Sequence, residues 1–168
     1  KKYLAQAGHI YYKIPIKDKA HAVYHKLISL GFKDPVVSIN LAEMEFEKKE
    51  YQKTISLLKN IEGKYAKDSR VVNMLKQSYT QIGTENLTVS DMNKLVSKAP
   101  NNKDIIEMAA IAYEKKDKLE SAAKMYKKFL TFPKTESHQK YAYHLTTLYK
   151  KMNKKSTEVK QYLINIQR

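Results

Sequence analysis

AAIAYEKKDKLESAAKMYKKF, residues 109–129, alternates small residues with large apolar ones at helical spacing. Ala110 and Ala122 are small, and Tyr126 and Phe129 are bulky. Laid on a 34-residue period from Lys1, the whole chain repeats this arrangement. Position 8 holds Gly8, Ala42, Lys76 and Ala110; position 20 holds Ala20, Thr54, Thr88 and Ala122. Position 24 holds Tyr24, Leu58, Met92 and Tyr126, and position 27 holds Leu27, Ile61, Leu95 and Phe129. Small residues thus recur where two helices would touch, and large apolar ones where a core needs filling. Each unit is a helical hairpin with too little core to stand alone, and stacking buries its faces against the next.

The punctuation agrees. Asp34-Pro35 reads as an N-cap followed by proline in the first helical turn. Gly31 stands where a helix end takes a positive φ. Gly63 and Gly83 mark later interruptions, Pro100 ends a helix, and Asn102 caps the next. Strand patterns are absent. The expected architecture is an all-α, right-handed α-solenoid of about five hairpins and ten helices. Its repeats are 1–34, 35–68, 69–102, 103–136 and 137–168, the last fitting after two extra residues near 133–138.

AGHIYYKIPIKDKAHAVYHKL (7–27), LAEMEFEKKEYQKTISLL (41–58) and residues 109–129 resemble the tetratricopeptide repeat family, and the likeness extends along essentially the whole chain. Repeat three departs most: Lys76 replaces the small residue, and IGTENLTVSDM (82–92) is weak between its helices. Repeat five carries Glu158 where alanine is usual. The resemblance implies a protein-binding scaffold whose first helices line a concave groove. Carried over position by position, that groove takes His9, Tyr12, Asn40, Glu43, Phe46, Arg70, Asn73, Met74, Gln77, Met108, Ile111, Tyr143 and His144. Asparagine and arginine grip an extended backbone, while aromatics and methionine supply adaptable apolar contact. One subset of the family clamps chaperone C-termini. Asn40 and Arg70 match its clamp, but Ala5, His9 and Met74 replace the lysine, asparagine and basic residue it needs, so that activity is not carried over.

Chemistry finds little purchase. HAVYH, His21–His25, has the i, i+4 spacing of a metal pair, but Ala22 stands where a zincin carries its glutamate. Both histidines lie one residue past the packing positions Ala20 and Tyr24. This predicts the edge or outer surface of the helix, and no metal. The chain lacks cysteine, which excludes thiolate metal sites and disulfides and leaves cytoplasm and bacterial envelope equally open. Neither a Gly-rich phosphate loop nor GxSxG occurs, and no acid, base and nucleophile converge on one surface. The expectation is a chain without catalysis or cofactor. The Asn86-Leu87-Thr88 sequon is the kind of triplet that chance supplies.

The formal charge is +15, with Arg70 and Arg168 the only arginines among 32 basic residues. Base readout favours arginine, and one-base-per-repeat RNA readers need matched polar pairs. Position 5 holds Ala5, Ile39, Asn73 and Glu107, which share no chemistry, so nucleic acid is the weaker reading. By repeat the charge is +5, 0, +2, +2 and +6, enough to steer an acidic protein partner toward either end. No apolar run reaches the ~20 residues of a membrane span, and no signal peptide is visible. KKYLAQAG opens without methionine and in phase with the repeat. STEVKQYLINIQR (156–168) carries Val159, Tyr162, Leu163 and Ile166 as a helical stripe. Uncovered terminal faces therefore predict a segment of a longer protein, flanked by further repeats or a docking partner and open to self-association; the alternative is a last helix that caps the array with Lys160 and its neighbours turned outward.

Overall fold

The computed structural model describes residues 1–14 and 16–153. All regular structure among them is helical: α1 (Lys2–Lys13), α2 (Lys17–Ser29), α3 (Pro35–Glu47), α4 (Tyr51–Leu58), α5 (Ser69–Ile82), α6 (Val89–Lys98), α7 (Lys103–Lys115), α8 (Leu119–Phe129) and α9 (Ser137–Lys151). Short 3₁₀ turns lie at Gly63–Lys67 and Thr84–Asn86. The chain divides into two compact units, Lys1–Asn86 and Leu87–Arg168. The division falls within Ile82–Met92, where the sequence pattern is weakest. Residues 154–168, with Glu158 and the Val159–Ile166 stripe of the expected tenth helix, lie outside the described residues.

Caps set the helix starts. Asp34 Oδ1 accepts from the Val36 and Val37 amides at 2.8 and 3.4 Å, with Pro35 next to it. Asn102 Oδ1 accepts from the Ile105 amide at 3.2 Å. Thr88 corrects a sequence expectation. It stands at a repeat position otherwise filled inside a second helix, but here it precedes α6 and forms a reciprocal capping box with Asp91. The hydroxyl that suits threonine to a cap is what takes it out of the packing surface.

A second regularity lies at repeat position 15, just after a first helix. Lys49 (φ 62°), Gly83 (φ 88°) and Asp117 (φ 55°) stand there, as does Asn153 (φ 53°) once the two extra residues are allowed for, and all take left-handed φ. The tight reversal demands that conformation whether or not glycine supplies it.

In the first unit α1 pairs with α2 and α3 with α4, while α2 packs on α3 and α4 on α5. Ala5, Ala20, Tyr24, Leu27, Val37, Leu41 and Met44 form one buried cluster there. Gly8 is required: a Cβ on it would lie 2.7 Å from Tyr24 Cε1. In the second unit α7 pairs with α8, α6 packs on α7 and α9 on α8. Its core is aromatic, with Tyr126 stacked on Tyr141 at 5.2 Å and Phe129 edge-on to the same ring at 4.8 Å. Positions 24 and 27 are buried in all four repeats the structure describes there, as the period requires. At position 8 Gly8, Ala42 and Ala110 are buried and the larger Lys76 only partly so.

Candidate interaction face

The first helices of successive pairs bring the predicted groove residues together in two groups. In the first unit, the Tyr12 hydroxyl donates to Glu43 Oε2 at 2.8 Å, and Arg70 Nη1 lies 4.0 Å from the same oxygen. Residues of α1, α3 and α5 are thereby linked across three helices. Burial, followed by the bond to Glu43, pushes the Tyr12 hydroxyl up to about 12. Arg70 also pairs with Asp68 at 3.3 Å, and that hydrogen bond holds the Asp68 carboxyl below its ordinary value. Asn73 and Gln77 follow on α5, both exposed, with no side-chain hydrogen bond to another described residue. Phe46 is half-buried, its ring edge-on to Tyr51 at 5.7 Å.

Beneath this face sits a polar support. Tyr24 is fully buried, and its hydroxyl accepts from Asn40 Nδ2 at 3.1 Å while lying 2.8 Å from His9 Nδ1. Asn40 is itself buried, so it holds α2 against α3 and does not present its amide outward. Met74 and Met108 are likewise buried, in core positions, and lie below the surface that the family pattern assigns them. The second unit repeats the support with other residues. The Tyr126 hydroxyl donates to Glu114 Oε2 at 2.6 Å, and His144 Nδ1 lies 3.0 Å from that oxygen. His144 stands where Asn40 does in the repeat once the two extra residues are allowed for. Tyr141 donates to Glu107. Ile111 is half-buried, and Tyr143 is the one predicted groove aromatic that is largely exposed.

His21 is better engaged than a surface position suggests. Its Nε2 lies 2.8 Å from Glu45 Oε1, and the Glu45 side chain is only 5% exposed. His25 is exposed, its ring 6.1 Å from that of His21. Periodicity placed His21 at the helix edge correctly, but it did not show that a carboxylate from α3 waits there. Glu45 was the missed residue. Its one signal was a charged side chain at the repeat position of Tyr11, Tyr79 and Tyr113. Among the described residues no three histidine, cysteine or acidic side chains gather as a metal site would need, and no helix is long and apolar enough to cross a membrane.

No family model and no curated protein matches the chain. Solved structures do. MamA from AMB-1 superposes with a TM-score of 0.54 at 17% identity, over 90% of this chain and 81% of that one. A point variant of MamA superposes with a TM-score of 0.51 at 17% identity, over 90% and 87%. At that identity the likeness speaks to the fold. Together with the all-helical architecture it shows a tetratricopeptide-like helical-repeat fold.

Proposed function

We propose that this chain is a non-catalytic protein-interaction scaffold that receives an extended polypeptide across the first helices α1, α3 and α5 of its first unit. The observation that carries the reading is the linked row Tyr12, Glu43 and Arg70, continued by the exposed, unengaged amides of Asn73 and Gln77. Amides four residues apart on one helix face suit the alternating N–H and C=O groups of a peptide backbone. His9, Asn40 and Met74 support that face from beneath, and Tyr143, His144 and Ile111 offer a second stretch in the other unit. The +15 charge favours an acidic segment, and salt weakens the attraction.

The test is paired. Proteins retained by the chain from its native lysate are identified, and binding of one is measured against Asn73→Ala/Gln77→Ala and against Ser97→Ala on the exposed side of α6. The groove variant is expected to lose about tenfold or more in affinity, with an unchanged circular dichroism spectrum. Undiminished binding by the groove variant overturns the reading.

A further inference from the structure

Position 11 of the repeat is tyrosine in Tyr11, Tyr79, Tyr113 and, with the two extra residues allowed for, Tyr149. In the second repeat it is Glu45. That departure coincides with a groove of about 310 Å³ among α2, α3 and α4, lined by Ile28, Leu41 and Leu57 with the polar residues His25, Ser29, Glu45, Gln52, Lys53 and Ser56. The volume is at the lower bound of small-molecule sites. A carboxylate at 5% exposure in such surroundings is costly unless both oxygens find partners. His21 occupies Oε1, and no described residue bonds Oε2. Nor is Oε2 sealed in the core, since no Glu45 atom is among the fully buried unpartnered ones.

We propose that this groove binds a small aliphatic amine. The ammonium donates to Glu45 Oε2, and the alkyl chain lies along Ile28, Leu41 and Leu57. Charge selects the ligand: a buried anion with one open oxygen takes a cationic donor, and the apolar walls take its hydrocarbon arm. Lys53 at the rim opposes it, tempered by its pairing with Glu50 at 3.5 Å. The groove shares no residue with the interaction face and is independent of it.

Methyl-labelled protein is titrated with hexylammonium and, separately, with neutral 1-hexanol, while the Ile28, Leu41 and Leu57 resonances are followed. Hexylammonium is expected to give saturable shifts confined to these residues, with hexanol about tenfold weaker. Glu45→Gln should erase that preference, and Lys53→Ala should strengthen ammonium binding. Glu45→Tyr restores the repeat's own residue and should abolish binding of both compounds. The wild-type comparison of the two probes stands even if a variant fails to fold. Equal affinity for both, retention of the preference in Glu45→Gln, weaker binding in Lys53→Ala, or shifts that are scattered and never saturate would each overturn the assignment.

Discussion

Two residues show how little room the packed hairpins leave. Tyr24 is held by Asn40 and His9 and is fully buried, so its ring cannot retreat from a methyl group on Gly8. Gly8→Ala is therefore expected to destabilise by about 1–3 kcal/mol, although alanine is the better helix former. A chemical-denaturation midpoint equal to or above wild type would contradict this. His21 gives the second case. An exposed histidine would cost within ~0.5 kcal/mol on truncation. As the only described partner of a buried carboxylate, His21 should cost about 1–3 kcal/mol on change to alanine. The check is a double-mutant cycle: His21→Ala should cost far less in a Glu45→Gln background, and equal costs would mean the pair is not coupled.

Among the elements, the turns carry a removable strain. Lys49 sits at positive φ between α3 and α4, where Gly83 meets the same requirement between α5 and the following turn. A left-handed residue with a Cβ costs about 1–2 kcal/mol, and glycine returns part of that gain through its freer unfolded state. Lys49→Gly is expected to stabilise by about 0.5–1 kcal/mol, read as a raised midpoint with unchanged slope. A lowered midpoint would show that Lys49 makes compensating contacts.

For the molecule as a whole, alkali should act cooperatively. Burial raises the hydroxyls of Tyr12, Tyr24, Tyr113, Tyr126 and Tyr141 above their ordinary value of 10. Above that pH the unfolded chain sheds protons that the folded chain retains, so stability is full below pH 10 and falls as pH rises toward 12 and beyond. Phenolate absorbance should therefore lag behind that of the denatured chain and then rise together with loss of helix. A titration that tracks the denatured chain from the start would refute it. The exposed apolar face of α1 makes a separate expectation. Tyr3 and Ile10 on α1 and Ile14 just beyond it are 87%, 57% and 52% exposed. The residues of α3 at the positions of Tyr3 and Ile10, Val37 and Met44, are buried. A second copy covering this face would give concentration-dependent sedimentation that Tyr3→Lys/Ile10→Lys abolishes. Sedimentation of the wild type as a monomer at high concentration would count against it.

The period, the helical class, the caps at Asp34 and Asn102 and the burial of positions 24 and 27 were legible in the sequence. Each rests on local backbone chemistry or on a spacing that repeats along the chain, and neither needs a third dimension to be read. Thr88 misled because one hydroxyl serves equally as a small packing residue and as a cap, and only the local path of the chain decides between them. Tertiary structure alone brought His21 to Glu45, turned Asn40, Met74 and Met108 into supports beneath the face, and joined Tyr12, Glu43 and Arg70. Those outcomes depend on how far one helix is rotated and shifted against the next. That offset is set by the summed packing of many side chains, and no single stretch of sequence encodes it.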